Sequence, residues 1–373
     1  MQYFATVARG LEDIAADELR QLGASEVEPS FTGVSFTGDR PLLYHVNLWA
    51  RIPFRILMQI HHCSARTAQQ LYDGIQTLDW SRYITPEQTF AVRATGKNEQ
   101  LNHSHYTALQ VKNAIVDQQR QQFQERSDIN LEQPDLTIAV HIQGDRCVVN
   151  LDSSGGSLHR RGYRPAVGLA PLKETLAAAL IDMTDWTPDL AFYDPLCGSG
   201  TLPIEASLKA LNIAPGMFRE QFAFEKWPNF DGSRWEQMLS EAEAHQHPEL
   251  TAPIMGGDRH FEALEQARFN AYQCGVSDQI QLLQQDIDEA YPPAEHGVLL
   301  CNPPYGERIG HAEDLGAFYK QMGDIFKQRF KGWTAYVLCG NLALTKRIGL
   351  RPARRIVVYN GSIECRLLKY ELY

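Results

Sequence analysis

The apolar run Gly297 to Cys301 ends abruptly in Asn302-Pro303-Pro304-Tyr305. Bounded by turn residues and too short for a helix, it reads as a buried strand. Proline has no N–H to give to a sheet ladder, so the strand stops there. Each proline also restricts the residue before it, which makes the turn extended and stiff. An amide side chain and two carbonyls are thereby fixed at the carboxyl end of a strand, with an aromatic ring following. In open α/β sheets that edge is where ligands bind.

The chemistry that suits such a group is that of an exocyclic amino group on a planar base. Its lone pair is delocalised into the ring, which makes it a poor nucleophile. The side-chain oxygen of Asn302 and the carbonyl of Pro303 can each accept one of its two N–H bonds and draw the nitrogen towards a pyramidal geometry. Pro304 stiffens the turn, and Tyr305 can stack on a base turned out of its helix. The plainer reading is a tight turn after a core strand, and the motif alone admits both.

A chain of 373 residues exceeds one average domain. From Met1 to about Ala50 the pattern is strand, helix, short strands about Gly33, then an amphipathic segment Leu42 to Trp49. A second unit follows to Asn150, with a long helix His105 to Phe123. Its two last strands, Leu136–Ile142 and Cys147–Leu151, are joined as a hairpin by Gly144-Asp145. Asp152 to Val167 is rich in Ser, Gly and Arg and reads as a linker. Beyond it Pro171 to Leu180 reads as a helix, and strands and helices then alternate, which predicts a mostly parallel sheet covered on both faces. The last two strands form a hairpin about Gly361, so the final strand runs antiparallel.

The net charge of −10 argues at first against a polyanionic partner, but nucleic-acid binding needs only a local basic face. Two stretches qualify: His159-Arg160-Arg161-Gly162-Tyr163-Arg164, and Lys346-Arg347 through Arg351 to Arg354-Arg355. Each is equally compatible with a solvated loop. Seven scattered cysteines without a Cys-x-x-Cys pair point to reduced thiols in a cytoplasmic protein. His61-His62-Cys63 and His103-x-His105 lack further ligands at zinc spacing, so no metal is expected. No apolar stretch is long enough for a membrane span.

A second constellation lies upstream. Leu190–Asp194 reads as a buried strand, Pro195-Leu196-Cys197-Gly198-Ser199-Gly200-Thr201 as a glycine-containing loop, and Leu202–Ala210 as the helix after it. Glycines there let backbone N–H groups approach a ligand at a helix N-terminus. Asp258 ends the next strand, placed to hold ribose hydroxyls. The separation from Asp194 far exceeds the roughly 20 residues of a minimal unit, which implies an insertion between about Asn212 and Pro248. Asp286 closes a third strand, suited to an adenine amino group, and Asn302 a fourth. One such polar terminus is commonly a helix cap. Four on one sheet edge are not explained as caps.

As a set, the Asp194–Thr201 loop, Asp258, Asp286 and Asn302-Pro303-Pro304-Tyr305 resemble the ordered motifs of Rossmann-like S-adenosylmethionine-dependent amino-methyltransferases. Ser157–Arg164, Pro171–Thr175 and Phe222–Pro228 further resemble the bacterial THUMP-domain guanine-N2 methyltransferases of large-subunit rRNA. The resemblance covers essentially the whole chain. It implies an α/β fold with four parts: a ferredoxin-like segment (1–52), a THUMP RNA-binding domain (53–152), a linker (153–170) and a methyltransferase domain (171–373). It further implies S-adenosylmethionine as cofactor. Asp194, Pro195, Cys197, Gly198, Ser199, Gly200 and Thr201 would lie against its methionine part, with Asp258 on the ribose and Asp286 on the adenine. Asn302, Pro303 and Tyr305 would hold and stack the base, with Asn302 also bordering the cofactor, and Arg160, Arg161 and Arg164 would face RNA. Cys197 and Cys301 read as packing residues. The motif does not separate guanine from adenine, nor rRNA from tRNA. A non-catalytic RNA-binding assembly factor is the reading from another class.

Overall fold

The computed structural model describes residues 1–164, 172–305 and 312–373. Pro171, the end of the expected linker and Gly306 lie outside the described residues. In chain order the N-terminal half runs β1 (Gln2–Thr6), α1 (Glu12–Gln21), β2 (Ser25–Ser30), β3 (Gly33–Thr37) and α2 (Arg40–Trp49). It continues with β4 (Arg55–Ser64), α3 (Ala68–Gln76), β5 (Phe90–Lys97), α4 (Ser104–Phe123), β6 (Leu136–Gln143) and β7 (Arg146–Asp152). Alternation along β6 buries Leu136, Ile138, Val140 and Ile142 and leaves His141 and Gln143 exposed. This is the period-two pattern of a strand with one covered face. The expected hairpin is present, with Ile142 opposite Cys147.

The two N-terminal units are not separate sheets. Strand β4 pairs with β1 on one side and β7 on the other, and Met58 has both Tyr3 and Leu151 as partners. Among the described residues one sheet therefore runs β2-β3-β1-β4-β7-β6-β5. Helix starts are set by side-chain caps: Asp39 accepts from the Leu42 N–H (2.9 Å) and Thr67 from the Gln70 N–H (3.2 Å).

The second half contains α5 (Glu174–Asp182), β8 (Ala191–Asp194), α6 (Thr201–Ala210), α7 (Gly232–Ala244), β9 (Ile254–Asp258), α8 (Phe261–Gln273) and β10 (Ile280–Gln284). It closes with β11 (Gly297–Cys301), α9 (Ala312–Arg329), β12 (Thr334–Cys339), β13 (Arg354–Asn360) and β14 (Ile363–Glu371). The sheet order is β10-β9-β8-β11-β12-β14-β13. The first five of these strands are parallel, and β14 runs antiparallel to both β12 and β13. Both faces carry apolar clusters, as a sheet buried on both sides requires.

The expected insertion between β8 and β9 joins the halves. Tyr44 of α2 stacks on Phe224 with ring centroids 4.7 Å apart, and Phe230 and Trp235 meet it edge-on. Each such pair adds about 0.5–1.5 kcal/mol beyond area burial. The Asp231 N–H donates to the Tyr44 hydroxyl (3.1 Å), and Lys226 pairs with Asp135 (3.0 Å).

Candidate active site

Strands β9 and β10 extend the second sheet to one side of β8, whereas β11 lies on its other side. The gap between β8 and β11 is thus the point where strand order reverses, and the carboxyl edge there is open to a ligand. The loop after β8 and the Asn-Pro-Pro-Tyr turn after β11 flank that gap. Leu299 pairs with Tyr193, Asp194 with Gly256, and Asp258 with Gln284. Asp194, Asp258 and Asn302 consequently come to one edge. Asp286 lies two residues past the end of β10, half-buried, at the start of the 3-10 turn Ile287–Glu289.

The loop after β8 is held from several sides. The Cys197 N–H donates to the Gly257 carbonyl (2.8 Å), and the Gly198 N–H to the Asp258 carboxylate (2.9 Å). Asn270 of α8 donates to the Ser199 carbonyl (3.0 Å). Gly198 (φ 52°) and Gly200 (φ 80°) take the left-handed conformation that turns the chain into α6. A side chain on Gly198 would meet no atom within 4 Å, so the loop keeps an open side. Asp194 is buried, and its carboxylate accepts from the Leu196 N–H (3.0 Å). Burial pushes its carboxyl well above the usual range, with Leu196 opposing and Asp258 adding to the shift. Pro195 opens the loop, and Thr201 is buried at the first position of α6. Burial likewise raises the thiols of Cys197 and Cys301, as expected of packing residues.

The decisive atom is Asn302 Oδ1. It is shielded from solvent and has no hydrogen-bond partner among the described residues. A buried amide oxygen left without a donor costs roughly 1–3 kcal/mol, so a donor brought to this edge would be favoured. Pro303 is buried beside it, and Pro304 and Tyr305 are half-buried. The Tyr305 ring lies over Gly340, where a side-chain carbon would stand 2.7 Å from it. Its hydroxyl accepts from Asn360 Nδ2 (2.8 Å), and Cys365 Sγ lies 3.7 Å away. The β13–β14 hairpin therefore sets the ring. The same hairpin touches the N-terminal half, because the Arg9 guanidinium lies over the Tyr359 ring at 4.5 Å.

One expectation needs correction. Arg160 is exposed, but Arg161 is 2% exposed and donates to the Glu205 carboxylate (3.3 Å), the Leu158 carbonyl (3.0 Å) and the Arg51 carbonyl (2.6 Å). Its guanidinium is used up inside the protein. Arg164 also turns inward, to Glu174 (3.4 Å) and the Thr201 hydroxyl. Two of the three arginines expected to face RNA instead brace α6, the helix that carries the glycine loop. The partner Glu205 carries a sequence signal: an acid flanked by the apolar Leu202, Pro203, Ile204, Ala206 and Leu208 of its helix. Asn360, Gly340 and Asn270 carry no local signal.

Among the described residues no helix is long and apolar enough to cross a membrane, and no cluster of His, Cys, Asp and Glu is arranged to hold a metal ion.

Residues 161–369 match the UPF0020 model, described as an RMKL-like methyltransferase domain. Residues 65–152 match the THUMP domain and 2–57 the RlmL ferredoxin-like domain. A candidate RNA methyltransferase of Synechocystis sp. is 57% identical over 371 residues, covering 100% of this chain and 97% of that one. The ribosomal RNA large subunit methyltransferase K/L of Methylococcus capsulatus is 40% identical and covers 99% of this chain, which spans 51% of that relative. The chain is thus about half the length of the K/L relatives it matches. Among solved structures, a candidate methyltransferase complexed with S-adenosylhomocysteine superposes with a TM-score of 0.91 at 32% identity, covering 100% of this chain and 98% of that one. A Listeria monocytogenes chain named a predicted N6-adenine-specific DNA methylase gives 0.90 at 33% identity, covering 100% and 96%. The chain belongs to the RMKL-like family of S-adenosylmethionine-dependent methyltransferases.

Proposed function

We propose that the protein transfers a methyl group from S-adenosylmethionine to the exocyclic N2 of a guanine in large-subunit rRNA, in the cytoplasm. The observation that carries this reading is the buried Oδ1 of Asn302 at the switch-point edge, without a partner among the described residues. That oxygen and the Pro303 carbonyl accept the two amino hydrogens and localise the nitrogen lone pair, while Tyr305 stacks on the base. The cofactor supplies an electrophilic methyl on a sulfonium. The loop Asp194, Pro195, Cys197, Gly198, Ser199, Gly200 and Thr201 holds its methionine part, Asp258 the ribose and Asp286 the adenine. The residues fit that group: the loop has an open side at Gly198, and Asp258 is half-buried with its carboxylate at the same edge. Positioning of the two reactants then supplies much of the rate.

The domain division follows the same reading, with a ferredoxin-like segment (1–52), a THUMP unit (53–152), a linker (153–170) and the catalytic domain (171–373). Arg160 is the one arginine of the linker trio that offers its guanidinium to RNA. The relatives named for large-subunit rRNA favour that substrate, and the THUMP match favours RNA over DNA. A second reading, adenine N6, is favoured by the name of the Listeria structure. Methyl transfer to an rRNA fragment, with inosine then placed at the modified guanosine, separates them. Inosine lacks the 2-amino group, so transfer is lost under the guanine reading. Persistent incorporation, or N6-methyladenosine as product, overturns it.

A further inference from the structure

Between Asp324 and Glu364 the sequence holds no Asp or Glu but eight Lys and Arg, in a chain of net charge −10. Two of these cations are used locally. Lys327 pairs with Asp324 (3.3 Å), and Arg329 donates to the carbonyls of Asp288 and Ala290. Hydrogen bonds from Lys369 and Tyr336 hold the Asp185 carboxylate below its ordinary range and Arg354 adds to this, and Lys331 sits at the other end of the sheet, before β12. Lys346, Arg347, Arg351 and Arg355 remain. All four are exposed, and none has an ion pair or side-chain hydrogen bond among the described residues. Like charges clustered without partners among the described residues repel one another, and a polyanion brought from outside would relieve that repulsion.

Their place in the fold says which polyanion. The 3-10 turn Lys346–Ile348 packs on α9, with Ile348 against Gly323 and Arg347 against Gly316 near the start of that helix. Arg355 is opposite Leu368, on the α9 side of the sheet. From Arg355 the strand runs directly to Asn360, the residue that holds the Tyr305 hydroxyl. Five residues of strand span about 17 Å. Val357 (44% exposed), two residues on from Arg355, projects from the same face of the strand and offers apolar contact there. Cations that lead, past an exposed apolar side chain, to the hairpin holding the ring proposed to stack the target base match a single-stranded RNA segment.

We propose that Lys346, Arg347, Arg351 and Arg355 form a phosphate-contacting strip for the RNA strand on one side of the target nucleotide. The proposal rests on the methyl-transfer reading above for the identity of the nucleic acid. It is tested with the full-length protein, its triple variant R347Q/R351Q/R355Q and the charge-preserving R347K/R351K/R355K. The probes are a large-subunit rRNA fragment and S-adenosylmethionine, and the dissociation constant for RNA is followed against salt. Loss of three contacts lowers the slope of log affinity against log salt by about 2, at roughly 0.7 per phosphate on a single strand. The Gln variant is expected to show that drop with unchanged cofactor affinity and melting temperature, and the Lys variant to keep the wild-type slope. An unchanged slope in the Gln variant overturns the strip, and would leave these cations to an acidic protein partner. Wild-type protein that fails to bind RNA at all overturns it too. If wild type binds RNA, the Gln variant shows the drop and neither transfers methyl, the strip stands and the methyl-transfer reading falls.

Discussion

The side-chain amide of Asn360 donates to the hydroxyl of Tyr305 across 2.8 Å, linking the hairpin at the far edge of the sheet to the aromatic ring at its centre. A neutral hydrogen bond of this kind contributes about 0.5–1.5 kcal/mol. If it orients the ring for stacking, Asn360→Ala lowers kcat/KM for RNA by about three- to tenfold. Calorimetric titration should show cofactor affinity unchanged. Equal loss of cofactor binding would assign Asn360 a broader structural role.

The Tyr305 ring is also set by what lies beneath it. A methyl group on Gly340 would stand 2.7 Å from ring carbons. Gly340→Ala should therefore displace the ring and reduce turnover by about ten- to a hundredfold, since misplacement of about 1 Å at a reacting group has effects of that size. Steady-state methyl transfer checks this, and an unchanged kcat would show that the ring has room to adjust.

Arg160 and Arg161 are adjacent in sequence and opposite in role. Arg161→Ala removes the buried cation that faces Glu205 and leaves its carboxylate only the Tyr163 hydroxyl (3.2 Å), so unfolding in urea should show a loss of about 3–5 kcal/mol. Arg161→Lys recovers only part, because one ammonium cannot reach the four acceptors that the guanidinium serves. Arg160→Ala should stay within about 0.5 kcal/mol of wild type while weakening RNA binding.

Half-burial, with the cations of Lys173, Arg160, Arg161 and Arg164, lowers His159 from 6.5 to about 4. The fold therefore favours the neutral ring. On acidification the unfolded chain takes up this proton first, so stability is full above pH 6.5 and declines as pH falls through the window down to 4. Denaturant midpoints across that window should fall less steeply in His159→Gln than in wild type. Parallel curves would show that other groups dominate.

Much of the catalytic half was legible because its strands are punctuated. A buried strand that meets Pro-Pro, or a Gly-Gly-Asp, announces its end, and the ends fall on one edge whenever the strands are parallel. The irregular segment Ser157–Arg164 has no period, so nothing local says which arginine points inward. That depends on Glu205, far away in sequence. Asn360 was hidden for a similar reason: its reach to Tyr305 is fixed by the pairing of β13 with β14 and of β14 with β12, a register no single stretch encodes. The aromatic insert was visible as an insertion, but its partner Tyr44 lay in another unit.

The most direct test of the account is mass mapping of modified nucleosides in large-subunit rRNA from cells lacking the protein, complemented with wild type or with Asn302→Ala. The account predicts that one N2-methylguanosine disappears, returns with wild type and does not return with Asn302→Ala, although that variant still binds S-adenosylmethionine. An unchanged rRNA profile, or full restoration by Asn302→Ala, would contradict it.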